Sequence, residues 1–442
     1  MLGVVGFAAV RASAEALLVI DAESGRVVHA ENAGHPWYPA SITKVMTAYL
    51  TLQAVREGRL TLDTTIKVSG AAAAQQPVKM GFPVGTLVTV DNALKMMMVR
   101  SSNDMAVVLA EGVSGSIETF SVEMNATARR LGMVQSSFVN PNGLPDEEQV
   151  TSARDLAILA RALIRDFPEY EHYWHIPAIK FGKRVMSNYN SLIGRYPGAD
   201  GMKTGFICAS GFNLVASATR GGKRMIAVVL GASSSQARAM KAAQLLERGF
   251  NSTRGINWLI PSLGTVESIQ PVNAEPVNLR EDMCGTHRKR RATEDEDEAL
   301  GTHENPDTPY GMFLASLRPK AKGEAPGPAI SLGEPVVVYT GRARKPGDPP
   351  PAVASKPKKS KPPADATAKA GTKTDTKTAA AKPTAARSET VKSAAKPVAP
   401  KDTTSKGAQT DAAPTTRPKP KKSAPKPLDT GAINGPQTTQ AR

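Results

Sequence analysis

The last hundred residues of this 442-residue chain, Ala343 to Arg442, contain no Phe, Tyr or Trp. Pro, Ala, Lys and Thr dominate there instead. Such a segment cannot bury enough apolar surface to offset the entropy of ordering it, so residues 343–442 are expected to be a disordered tail. Long apolar runs are also missing: nothing approaches the roughly 20 residues that span a bilayer, so no transmembrane segment is expected. Cysteine is scarce. Cys208 and Cys284 make no disulfide framework, and with Cys284 in a polar stretch the expectation is an unpaired Cys208. The 6 histidines show no metal-ligand spacing. His172 and His175 stand three apart among acidic and aromatic residues, which reads as a surface helix end. No metal or cofactor is implied.

Charge is distributed unevenly. Residues 343–442 hold 21 Lys and Arg against 7 Asp and Glu, a net of +14 in a chain whose total is +16. The remainder is therefore nearly neutral, and the high pI belongs to the tail. At the other end, Met1 to Ala14 is largely apolar and closes on Ala12-Ser13-Ala14, the small-x-small form of an export-signal cleavage site. The basic leader that precedes such a run is missing, which suggests a start site further upstream. The competing reading is a buried N-terminal strand or helix. Residues 1–14 are taken as a signal remnant and the protein as exported.

Between these ends the pattern alternates. Ala16 to Ile20 and Arg26 to Ala30 flank Glu23-Ser24-Gly25 and read as a hairpin. Ser41 to Val55 has helical periodicity, as do Asp91 to Met98 and the stretch from Asn103 to Gly112. Ser116 and Ser152 each stand where a side chain caps a following helix, the first ending near Gly132 and the second stopped by Pro168. Phe212 to Thr219 and Arg224 to Gly231 flank Arg220-Gly221-Gly222-Lys223, a hairpin turn, and Ala237 to Phe250 returns to helix. Strands at both ends with helices between them indicate α+β, one antiparallel sheet flanked by helices. Beyond Pro261 the pattern weakens. A basic block at His287 to Arg291 and an acidic one at Glu294 to Glu298 read as a self-neutralising linker, and Val336 to Tyr339 as a lone strand. The expected division is a catalytic domain over residues 15–260, a sparsely structured linker over 261–342 and the tail over 343–442.

Three short motifs carry chemistry. Ser41-Ile42-Thr43-Lys44 sets a hydroxyl and an amine one helical turn apart. Ser101-Ser102-Asn103 and Lys203-Thr204-Gly205 follow in that order. Each alone is a helix start, a loop or strand punctuation; together they describe a site. A serine hydroxyl needs a partner to take its proton, and no histidine stands at a spacing to serve, so Lys44 is the candidate base for the nucleophile Ser41. Desolvation and a nearby cation, for which Lys203 is the candidate, would lower its pKa. Ser101 is a candidate relay to the leaving amine. Asn103 suits both a substrate backbone and the Lys44 side chain. Lys203 and Thr204 suit a free carboxylate, and Gly205 lets backbone approach without a side chain between.

This trio resembles that of the D-alanyl-D-alanine carboxypeptidases among the low-molecular-weight penicillin-binding proteins, over about Leu17 to Phe250. The resemblance implies a β-lactamase/transpeptidase-like fold and a periplasmic or envelope-associated serine carboxypeptidase. Its substrates would be peptidoglycan stem peptides, and β-lactams would acylate Ser41. It implies an oxyanion hole from the backbone N–H groups of Ser41 and Phe206, and an arginine near the substrate carboxylate at Arg238, against which stands a plain helix-start arginine. It also matches Asn140-Pro141-Asn142-Gly143-Leu144 to a structural turn and Asp155 to a structural partner.

Two other readings remain. A class A-like β-lactamase would need a deacylating glutamate; Glu169 and Glu171 lie in the interval but not in its usual setting. A protein acting through its basic tail would bind polyanions; for an exported chain these are weak contacts with envelope components, and no nucleic acid is expected. The relatives' amphipathic membrane helix finds no counterpart at Lys421 to Pro427.

Overall fold

The computed structural model describes residues 15–252, 263–286, 308–317 and 333–343. Of two units, Met1–Lys358 and Lys359–Arg442, all described residues belong to the first. The signal remnant, the opposed charge blocks and the tail beyond residue 343 lie outside the described residues.

The central sheet is built from both ends of this unit. Its strands are β1 (Ala16–Asp21), β2 (Val27–Glu31), β7 (Ala199–Ile207), β8 (Gly211–Arg220) and β9 (Lys223–Ala232), in the order β2-β1-β9-β8-β7 and antiparallel throughout. The β8–β9 turn is the one expected: Gly221 and Gly222 both have positive φ, 55° and 76°, which a two-residue hairpin loop of this hand demands. Eight consecutive residues of β8 and eight of β9 are buried, so both sheet faces are covered.

The helices that cover them follow the sequence's capping signals. In α5 (Ile117–Leu131) the Ser116 hydroxyl accepts from Thr119 N–H, and the helix ends on left-handed Gly132. In α6 (Ala153–Asp166) Ser152 accepts from Asp155 N–H, and Leu156, Leu159, Ala160 and Leu163 are buried against β1, β8 and β9. Helix α8 (Ser235–Asn251) packs on the same three strands and starts two residues before the expected Ala237, because Ser234 caps it. Helix α1 (Lys44–Arg56) is buried on nearly all sides, as expected of a helix at the centre of a domain. Helices α3 (Val90–Arg100) and α4 (Asn103–Ser114) meet at the second motif.

Three features depart from expectation. Cys208 and Cys284 form a disulfide, with Cα atoms 5.7 Å apart. Cys284 ends a short helix, α9 (Arg280–Cys284); its Met283 and the preceding Leu279 sink into the core and carry the sulfur to Cys208; local polarity gave no sign of that docking. Second, Val336–Val338 is not a lone strand but the parallel neighbour of β5 (Ala178–Phe181), which also pairs with β6 (Arg184–Ser187). Third, α10 (Pro309–Leu317) places Tyr310, Phe313 and Leu314 in the core. Pieces of the stretch after residue 261 thus pack onto the unit that holds the central sheet. Among the described residues no single helix is long and apolar enough to cross a membrane.

Candidate active site

Ser41 lies in a 3₁₀ turn, Ala40–Thr43, directly before α1, whose first residue is Lys44. The Lys44 amine donates to Ser41 Oγ at 2.9 Å, Asn103 Oδ1 at 2.8 Å and the Asn142 carbonyl at 2.6 Å. Lys44 is 0% exposed. An amine so removed from water forgoes hydration that would otherwise favour its charge.

The second motif is placed by a helix junction. Ser101 ends α3 in the left-handed region, φ 57°, which turns the chain so that Asn103 opens α4. The Asn103 amide is bound at both ends: Oδ1 accepts from Lys44, and Nδ2 donates to the Gln76 carbonyl at 2.9 Å. Asp104 fixes the adjoining loop by accepting from Met80 and Gly81 N–H. Ser101 Oγ is buried without a hydrogen-bond partner among the described residues.

The third motif is on β7, at the edge of the sheet. A Cβ on Gly205 would lie 2.9 Å from Ser41 N and 3.1 Å from Ile42 N, so this strand rests against the serine turn and only a glycine permits the approach. Lys203 and Thr204 are each 2% exposed; the Lys203 amine donates to the Thr204 carbonyl at 2.9 Å, and Thr204 Oγ1 is buried without a partner among the described residues. Buried hydroxyls left unpaired are costly, and two of them, Ser101 and Thr204, belong to the motifs. Phe206 continues the strand and packs its ring on Phe212, centroids 4.4 Å apart.

Arg238 lies near the start of α8, buried beside β8. It is 2% exposed, donates to the carbonyls of Asn213 at 3.4 Å and Tyr189 at 3.5 Å, and lies 5.7 Å from the centroid of the Phe212 ring. Asp155 is the structural partner expected, accepting from Gln135 N–H, Ser136 Oγ and Arg154; burial nonetheless raises its pKa. Glu171 is held by Arg224, which also pairs with Asp200 near the start of β7, the end away from Gly205. That removes Glu171 as a deacylating base.

Two residues escaped the sequence reading. Asn142, assigned only to a structural turn, offers its carbonyl to the Lys44 amine, while Thr47, one turn after Lys44 on the same helix face, donates to the Pro141 carbonyl at 2.6 Å. The sequence signal was Gly143: its φ is 78°, and a Cβ there would overlap the Ala40 carbonyl. A glycine so constrained marks backbone pressed against backbone. Asn213, opposite Gly205 across β7 and β8, donates to the Tyr38 carbonyl at 2.9 Å and accepts from Gly231 N–H. It ties the segment leading into Ser41 to the sheet. A buried amide in an apolar strand was the available signal.

Among the described residues no group of three His, Cys, Asp or Glu side chains gathers to hold a metal.

Comparison with known proteins gives one family. The model of the D-alanyl-D-alanine carboxypeptidase family, peptidase family S11, matches residues 5–234. The D-alanyl-D-alanine carboxypeptidase DacF of Bacillus subtilis is 36% identical over 244 residues, 54% of this chain and 62% of the relative. DacC of Escherichia coli is 37% identical over 244 residues, covering 54% and 61%. The chain thus spans about three fifths of the length of these curated relatives. Among solved structures, DacD from Francisella tularensis superposes with a TM-score of 0.52 at 32% identity, over 57% of this chain and 73% of that one. Penicillin binding protein 5 from Haemophilus influenzae gives 0.52 at 34%, over 53% and 70%. The fold is the penicillin-binding, transpeptidase-like one.

Proposed function

This chain belongs to the D-alanyl-D-alanine carboxypeptidase family, and from that premise we propose that it removes the terminal D-alanine from peptidoglycan stem peptides through an acyl-enzyme on Ser41. The observation that carries the reading is the buried Lys44 amine 2.9 Å from Ser41 Oγ. In its neutral form that amine takes the hydroxyl proton as Oγ attacks the carbonyl carbon of the penultimate D-alanine. The proton passes by way of Ser101 to the leaving amine, the C–N bond breaks, and free D-alanine departs. Water then hydrolyses the ester and restores Ser41.

The N–H groups of Ser41 and Phe206 face the developing oxyanion, and such donors contribute about 3–4 kcal/mol each. Lys203 and Thr204 hold the substrate's terminal carboxylate. Arg238 adds positive charge near that carboxylate. Asn103 binds the substrate backbone on the other side. β-Lactams, which mimic the scissile amide, acylate the same serine and leave slowly. The catalytic domain is assigned to residues 15–260. The protein acts outside the cytoplasm, in the periplasm or envelope, and its basic tail makes weak contacts with envelope polyanions.

The test is incubation of the full chain with diacetyl-Lys-D-Ala-D-Ala, scored for free D-alanine. Wild type releases it and Ser41→Ala does not. Release by Ser41→Ala, or benzylpenicillin found by peptide mass on a residue other than Ser41, refutes the assignment.

A further inference from the structure

We propose that Gln75, which lies outside all three motifs, is a positioning residue for the Lys44 amine and acts through Asn142. The proposal rests on the reading of Ser41 and Lys44 as nucleophile and base.

A neutral amine has two N–H groups and one lone pair, at tetrahedral angles. To accept a proton from Ser41 Oγ, Lys44 must aim the lone pair at it. That orientation follows when two carbonyl oxygens each take one N–H. Asn103 Oδ1 at 2.8 Å and the Asn142 carbonyl at 2.6 Å are such a pair. How firmly they stand decides how often the lone pair, rather than an N–H, faces the serine.

Both are held by the same short loop. The Asn142 side chain donates from Nδ2 to Gln75 Oε1 at 2.7 Å, and its Oδ1 accepts from Leu144 N–H at 3.1 Å. Asn142 is 2% exposed, so water does not readily replace a lost partner. Next in sequence, the Gln76 carbonyl accepts from Asn103 Nδ2 at 2.9 Å. Residues 75 and 76 thus orient the two acceptors of one amine. Gln75 is itself anchored: it follows α2 (Gly70–Ala74), and its Nε2 donates back to the Ala71 carbonyl at 3.1 Å. That helix is capped by Ser69, whose hydroxyl also donates to Glu111 on α4 at 2.8 Å. The frame runs from α4 through α2 and Gln75 to Asn142, and so to the base.

The hydrogen bonds of Gln75 run to Asn142 and the Ala71 carbonyl, so its effect falls on proton transfer and not on substrate affinity. The experiment measures kcat and KM for diacetyl-Lys-D-Ala-D-Ala, together with the rate of benzylpenicillin acylation, on the full chain. Gln75→Ala is expected to lower kcat and the acylation rate about tenfold, the effect of one lost buried hydrogen bond, with KM within about twofold of wild type. Gln75→Glu keeps an oxygen acceptor for Asn142 and, at its own pH optimum, should recover most of the rate. Asn142→Ala, which also loses the bond from Leu144 N–H, should be at least as slow as Gln75→Ala, and the double variant should lose little more than Asn142→Ala alone. Wild-type kcat in Gln75→Ala, a loss confined to KM, no recovery in Gln75→Glu, or fully additive losses would each overturn the proposal. If Gln75→Ala does not fold, the comparison passes to the other two: a slow Asn142→Ala beside a fast Gln75→Glu supports it, and equal rates overturn it. Peptide mapping of the wild type separates the two layers. Benzylpenicillin absent from Ser41 refutes the function itself and this proposal with it, whereas normal labelling of Ser41 in both wild type and Gln75→Ala, at one rate, refutes only the role of Gln75.

Discussion

Replacing Cys284 by serine opens a covalent loop whose ends are 76 residues apart in sequence. In the chain-entropy picture, closing a loop of that length removes about 4.5 kcal/mol of freedom from the unfolded chain, and disulfides commonly deliver 2–4 kcal/mol of it. The folded side changes less. Leu279 and Met283 are buried, and Leu279 N–H donates to the Ala209 carbonyl at 2.9 Å, so α9 keeps its seat on the β7–β8 turn without the sulfur bond. The variant should therefore lose stability mainly through its unfolded state. With urea slopes of 1–3 kcal/mol per molar for domains, the unfolding midpoint of Cys284→Ser should fall by about 1 M or more. Wild type in excess dithiol should unfold at the same lowered midpoint. D-alanine release at 25 °C should persist, because Cys208 lies past Phe206, beyond the end of β7. Coincident midpoints for variant and oxidised wild type would refute the reasoning, as would alkylation of both cysteines in unreduced, denatured wild type.

Gly143→Ala forces a Cβ into the Ala40 carbonyl at a φ of 78°; it should cost about 2–4 kcal/mol in denaturant unfolding and slow acylation by shifting the Asn142 carbonyl. Lys44→Met leaves a side chain of similar length and no base, and D-alanine release should fall at least about a hundredfold with fold retained by circular dichroism. Burial holds the pKa of His29, His172 and His175 below the usual histidine value. A folded-state value below the unfolded one gives stability that is complete above pH 6.5 and is lost as pH falls, so the unfolding midpoint should drop between pH 7 and pH 5. His175→Gln should flatten that drop, and an unchanged slope would count against burial as its cause.

The main elements and the site differ in how local their causes are. Ser116 and Ser152 cap their helices through bonds to N–H groups three residues on, and Gly221-Gly222 turns a hairpin by φ alone. Such contacts are encoded within a few positions, and they could be read before any fold was known. The hydroxyl and amine of Ser41 and Lys44 share that property, being one turn apart in the chain. The order of the three motifs carried the family because each residue type is required by the chemistry wherever the backbone runs.

What sequence left undecided were the contacts between distant partners that no motif marks. The carbonyl of Asn142 reaches Lys44 from 98 positions away, and its one mark in the sequence is the glycine that follows it. Cys284 meets Cys208 only because Leu279 and Met283 are swallowed by the core. Val336 joins β5 from more than 150 residues away, in a pairing set by main-chain hydrogen bonds that any short apolar strand can make. Local propensity, capping and spacing determined which helices and strands form and which chemistry they bear. Only the closing of long loops around one core decided which carbonyl steadies the amine and which sulfur finds which, because those choices are made by packing energy summed over the whole domain.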